Sequence, residues 1–171
     1  MDNPILFLDY DGVLHPDAVY QTRRGLELRA PGQLLMHADV LETILDDHPE
    51  VRIVLSTSWV RLLSFKRAHG VLPESLQARV IGATWHSKMP RAPEYGYDLQ
   101  TRYEQIRAAA TRAGMTRWLA LDDDPDHSWP DRDARLIRCD SALGLGRLQT
   151  QYELRTKLVT LLERSSVSPS I

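Results

Sequence analysis

The sequence predicts an alternating α/β domain built on a parallel sheet. Three observations carry that prediction: strand-length apolar runs recur along the chain, helical patterns separate them, and the first run, ILFL (5–8), is apolar at every position. A strand covered by helices on both faces has no side to show to water, so continuous apolarity marks it as central. With 171 residues the chain is long enough for one domain with a real core and too short for a second. Residues 1–165 are expected to form that domain, and the polar, proline-containing end, 166–171, to fray.

Taken in order, ILFL is the first strand. Residues 13–33 fit neither the helical nor the strand period and carry Arg23, Arg24, Gly25 and Arg29, which suggests an extended hairpin or flap. Leu34, Leu35, Val40, Leu41, Ile44 and Leu45 then recur at helical spacing, with Pro49 shortly beyond. VRIVL (51–55) is the second strand, followed by a helix from Trp59 to His69 closed by Gly70. VIGAT (80–84) reads as a further strand, and the Pro/Gly/Tyr-rich residues 85–100 as a loop. Thr101 with Glu104 three places on makes a capping box, so a helix starts at Arg102 and stops near Gly114. RWLAL (117–121) and RLIRC (135–139) complete the strands, and Thr150 with Glu153 repeats the capping device for a final helix.

Composition excludes several classes of protein. Lys plus Arg number 21 and Asp plus Glu 23, so no global charge draws the chain to nucleic acid or to anionic membrane, and a polyanion would have to be met by a local patch. The single cysteine, Cys139, cannot form an internal disulfide, and no apolar stretch approaches membrane-spanning length. The first apolar run is short, has no basic flank and ends in acid, unlike a signal peptide. A cytoplasmic protein is the expectation.

Open parallel sheets bind ligands outside the carboxyl ends of their strands. Here ILFL runs into DYDG, VRIVL into Ser56, Thr57 and Ser58, RWLAL into Asp122, Asp123, Asp124 and Asp126, and RLIRC into Asp140. Carboxylates gathered from two strands repel one another unless a cation sits among them or protons are retained. Oxygen donors without histidine or cysteine at ligand spacing point to Mg²⁺ rather than zinc. Such a cation lets a carboxylate approach a phosphate dianion, the hydroxyls can hydrogen-bond phosphate oxygens, and Arg102 in the first turn of its helix can supply fixed positive charge.

These motifs, DYDGV after an apolar strand, a Ser/Thr turn after the second, a basic residue opening a helix and an acid pair after a later strand, resemble those of the haloacid dehalogenase (HAD) superfamily. More narrowly, ILFLDYDGVLHP, VRIVLSTSW and WLALDDD resemble the small HAD domains associated with RNA-repair proteins. The resemblance implies a three-layer Rossmann-like fold with a flap after the first strand and no large cap domain. It also implies a phosphatase in which Asp9 is the nucleophile that forms an aspartyl-phosphate and Asp11 the general acid/base. Gly12 lets the chain bend after the pair. Mg²⁺ would be held by Asp9, the backbone carbonyl of Asp11, and Asp122 or Asp123. Thr57, with Ser58 next, would bind phosphate, and Arg102 would stabilise it, with Lys88 the competing basic residue.

The absence of a large lid favours a bulky phosphorylated substrate, such as a nucleic-acid terminus, over a small metabolite. A nucleotidase or small-metabolite phosphatase is the alternative, and a catalytically weak phosphate- or partner-binding module is the second. Taken singly, each feature has a plainer role. The DDDPD segment alone is a solvated acidic loop, Thr57 and Ser58 alone are helix caps, and the arginines of the flap are surface residues. Trp59, Trp85, Trp118 and Trp129 are expected in the core or against a lid, with Trp85 and Trp129 closest to loop contexts. His15 and His127 merely fall near the motifs. Only DYDG and the later acids taken together favour catalysis.

Overall fold

The structure is a computed structural model that describes residues 3–89 and 96–163. Five parallel strands form the central sheet: β1 (Ile5–Leu8), β4 (Arg52–Leu55), β5 (Val80–Ala83), β6 (Trp118–Asp122) and β7 (Leu136–Arg138), in the order β5-β4-β1-β6-β7. A two-stranded antiparallel hairpin, β2 (Val19–Thr22) and β3 (Gly25–Leu28), is the flap expected after the first strand. Among the described residues no cap domain is inserted, and no helix is long and apolar enough to cross a membrane. The end expected to fray, 166–171, and part of the 85–100 loop lie outside the described residues.

The all-apolar β1 has the environment its sequence requires. Leu6 and Leu8 enter one core with Ile53, Leu55, Leu119 and Leu121 from neighbouring strands. That core also takes Leu41, Ile44 and Leu45 of α1 (Ala38–Asp46), and Leu154 and Leu158 of α6 (Leu148–Glu163). Ile5 and Phe7 face the opposite core with Ile106, Ala109 and Ala110 of α5 (Arg102–Arg112), joined by Trp118 and Trp129. The alternation of a strand thus divides one four-residue run between two helical layers, and the three-layer arrangement follows.

Several boundaries differ from the sequence reading. Leu34 and Leu35 precede α1 instead of joining it; Leu35 has φ 58°, and its N–H donates to His15 Nδ1 at 3.2 Å. Trp59–His69 is not one helix but two, α2 (Trp59–Leu63) and α3 (Phe65–Gly70), parted by Ser64 at φ 94°. Gly70 is the last residue of α3 and does not close it from outside. A short α4 (Glu74–Gln77), foreseen by no signal, precedes β5. The capping box at Thr101 and Glu104 is present in full, whereas α6 begins at Leu148, two residues before Thr150, so the second box does not cap it.

Candidate active site

The order of the sheet places the ends of β4, β1 and β6 side by side, and every acid and hydroxyl of the DYDG, STS and DDDPD segments leaves from those three ends. The ladder continues one residue past β1 and β4: the Asp9 N–H donates to Leu121 O at 3.1 Å and the Ser56 N–H to Leu8 O at 2.8 Å. Asp9 is therefore held as rigidly as the strand. Tyr10, the residue between the two acids, points into the core, where its hydroxyl donates to Ala68 O at 2.7 Å and its ring meets Trp59 edge-on. This anchor sends Asp9 and Asp11 to the mouth of the sheet.

Carboxylate oxygens of Asp9, Asp122 and Asp123, all buried, lie within 4.8 Å of one another. Arg102 reaches into the group from the first turn of α5. One terminal nitrogen lies 3.2 Å from Asp9 Oδ2, Nε lies 3.2 Å from Asp122 Oδ2, and the other terminal nitrogen donates to Ser56 O. Arg102 is thus the basic residue that meets the acids, while Lys88 is solvent-exposed in the loop before it. Burial pushes Asp9 well above the ordinary carboxylate range, with Asp122 and Asp11 adding to the rise and Arg102 opposing it. Burial likewise pushes Asp122 up to about 6 and Asp123 upward, the latter against the hydrogen bond that Ser141 Oγ donates to its Oδ2 at 2.7 Å. Arg102 is half-buried, and Asp9 and Asp122 hold it firmly charged.

The residues fit a hard divalent cation. Three buried carboxylates, once ionised, facing one guanidinium leave two negative charges in excess, which a divalent cation such as Mg²⁺ would neutralise. The Oδ2 atom of Asp122 is buried without a hydrogen bond of proper geometry, although Arg102 Nε lies close to it. Gly12, at φ 70°, brings the backbone so near that a Cβ would overlap the Asp123 carboxylate, so the glycine serves a close approach as well as a bend. Asp124 takes no part in the cluster. Its side chain accepts from the N–H and Oγ of Ser128 and pairs with Arg138, fixing the loop after β6, while its own N–H donates to Asp122 Oδ1 at 2.8 Å.

Thr57, Ser58, Arg102 and Tyr97 line a cleft of about 610 Å³. Thr57 is buried, and its Oγ accepts weakly from the Trp59 N–H at 3.4 Å, leaving its own proton uncommitted by that contact. Ser58 is exposed at the head of α2 and makes no side-chain cap bond. The arginines of the flap, Arg23, Arg24 and Arg29, are exposed, and Arg29, just past β3, stacks on Tyr20 and pairs with Glu27 of the hairpin. Trp129 is a core residue packed against Tyr103 and Trp118.

Sequence reasoning missed the partners of Asp11. The Oδ1 atom accepts from His15 Nε2 at 3.0 Å, and Oδ2 accepts from Trp59 Nε1 at 2.9 Å. A histidine four residues on was a detectable signal, whereas a tryptophan 48 residues away was not.

The α/β sheet with acids at the ends of β1 and β6 and a hydroxyl turn after β4 defines a domain of the haloacid dehalogenase class. Residues 5–149 match the family described as "HAD domain in Swiss Army Knife RNA repair proteins", and the chain belongs to that family. No curated protein and no solved structure matches the chain.

Proposed function

We propose that this HAD domain is a Mg²⁺-dependent phosphomonoester hydrolase that works through an aspartyl-phosphate on Asp9. The observation that carries the proposal is the arrangement of Asp9, Asp122 and Asp123 around one guanidinium, beside a cleft that holds Thr57. Mg²⁺ would be held by Asp9, Asp122, Asp123 and the Asp11 carbonyl, and would offset charge as carboxylate and phosphate dianion approach. Asp9 attacks phosphorus and the bond to the leaving oxygen breaks as Asp11 delivers its proton there. Asp11, now a carboxylate, takes a proton from water, which attacks the phosphoryl group and returns the Asp9 carboxylate. Thr57, with Ser58, hydrogen-bonds the phosphoryl oxygens, and Arg102 supplies charge where it accumulates.

A bulky substrate, a nucleic-acid terminus in particular, is the class we favour. The cleft adjoins a larger groove of about 900 Å³ with which it shares Arg61 and Leu62. The lining of that groove includes Arg61, Lys66, Phe65 and Trp85 and, among the described residues, no carboxylate, although Arg61 pairs with Asp98 of the adjoining cleft. This suits a strand whose phosphates need cations and whose bases need apolar faces. The family description, naming RNA repair, points the same way.

The test is phosphate release from an aryl phosphate, nucleoside monophosphates and a 3′-phosphorylated oligonucleotide, with Mg²⁺ or EDTA, for wild type and Asp9→Asn. Release that needs Mg²⁺ and vanishes in the variant is expected, with the oligonucleotide preferred. Mg²⁺ binding without turnover on any substrate would replace the hydrolase with a binding module.

A further inference from the structure

On the hydrolase reading above, we propose that His15 and Trp59 are positioning residues. They keep the Asp11 side chain out of the acid cluster and presented to the leaving oxygen. Asp9, Asp122 and Asp123 form the buried group, and the Asp11 carboxylate stands apart from it, with 22 % of its side chain exposed against 6 % for Asp9. A cation among three carboxylates attracts a fourth, and a carboxylate drawn into its coordination shell is an acceptor that has no proton to deliver. Something must hold Asp11 away.

Two rings do so, one on each oxygen. Trp59 Nε1 can only donate, and does so to Oδ2 at 2.9 Å. His15 could in principle donate or accept, but its Nδ1 accepts the Leu35 N–H at 3.2 Å, which places the proton of the neutral ring on Nε2 and makes it the donor to Asp11 Oδ1 at 3.0 Å. Both rings are buried and locked by packing: His15 against Trp59 at 5.6 Å between centroids, and Trp59 edge-on to the anchored Tyr10 at 5.3 Å. Leu35, which supplies the N–H that fixes the tautomer, sits in left-handed backbone at φ 58° instead of extending α1. Each carboxyl oxygen keeps a second lone-pair site beyond these bonds, so the clamp leaves room for the proton that Asp11 transfers.

The consequence is specific to the chemistry of the leaving group. A general acid matters for an alkoxide, which leaves poorly without a proton, and little for a nitrophenolate, which leaves unaided. The experiment is therefore kcat/KM on p-nitrophenyl phosphate and on an alkyl phosphate, for wild type, His15→Leu, Trp59→Phe and His15→Gln. That constant stops at formation of the phosphoenzyme, and the ratio between two substrates is unaffected by any inactive fraction in a preparation.

We expect His15→Leu and Trp59→Phe to lower the alkyl phosphate value about 10- to 100-fold more than the nitrophenyl value, within the range a general acid supplies. His15→Gln, which keeps an N–H donor, should recover most of the ratio. Equal losses on both substrates would overturn the proposal and leave a merely structural role. A ratio unchanged in all three variants would overturn it as well. Wild type inactive on both substrates would remove the hydrolase reading, and the proposal with it. Wild-type activity that is lost in Asp9→Asn, together with a ratio that stays fixed in His15→Leu and Trp59→Phe, would keep that reading and remove the proposal alone.

Discussion

In the absence of a divalent cation this protein should become less stable as the pH rises from about 5 to 7.5, the opposite of the behaviour of most buried, paired carboxylates. Asp122 has an ordinary carboxyl pKa of 3.8 when the chain is unfolded and about 6 in the metal-free fold, chiefly through burial. Below 3.8 both states are protonated and the difference contributes nothing. Between 3.8 and 6 the native state keeps a proton that the unfolded state has released, so each step up in pH favours unfolding. Above 6 both are ionised and the full cost stands, about 3 kcal/mol from this one residue. Roughly half of that falls between pH 5 and 7.5. Burial shifts Asp9, Asp17 and Asp123 in the same direction. His37, lowered by burial, opposes them below its ordinary 6.5, which is why the comparison with Asp122→Asn isolates the one residue. Asp133, lowered by Arg135, acts in a window below 3.8. On the proposed Mg²⁺ site, saturating Mg²⁺ should reverse the loss, since a ligand at a hundredfold its Kd contributes about 2.7 kcal/mol. Urea unfolding of wild type and Asp122→Asn at the two pH values, in EDTA and in Mg²⁺, measures all of this. The variant should show a shallower pH dependence in EDTA and a weaker response to Mg²⁺. Stability in EDTA that is flat or rising over this range, or a variant with an unchanged slope, would refute the reasoning.

Arg102→Ala should separate binding of the cation from turnover. Loss of the guanidinium leaves the acids more negative, so titration calorimetry should show tighter Mg²⁺ binding while kcat/KM on phosphate esters falls about 100-fold. Gly12→Ala should cost about 1–3 kcal/mol in urea unfolding through its positive φ, and should weaken the response to Mg²⁺ because the new Cβ displaces the Asp123 carboxylate. Ser64→Gly should raise stability by about 1 kcal/mol, seen as a higher Tm, since φ 94° and ψ 155° are close to a glycine-only conformation and the cap bond lost to Arg67 N is long.

Most of the sheet was legible because its strands are buried on both faces, and such strands are written as continuous apolar runs. The acids and hydroxyls were legible for a related reason: they stand where each run stops. Elements whose shape is decided by distant partners were not. Leu34 and Leu35 have helical spacing, yet Leu35 leaves the helix to hydrogen-bond a histidine twenty residues earlier. Ser64 breaks a helix with neither glycine nor proline to announce it. The Thr150 and Glu153 pair has the spacing of a capping box, but α6 had already begun at Leu148, so local spacing lost to tertiary packing. The same limit hid the partners of Asp11: the carboxylate could be read as chemistry, and the indole that holds it is brought there only by the pairing of β1 with β4.

The central claim is that Asp9 becomes phosphorylated. Its most direct test is rapid acid quench of wild type mixed with Mg²⁺ and a phosphate ester, followed by peptide mass spectrometry. One phosphoryl group on the peptide containing Asp9, absent in EDTA and absent in Asp9→Asn, is the result expected here. Turnover with an unmodified Asp9 peptide at every quench time, or label on another residue, would contradict it.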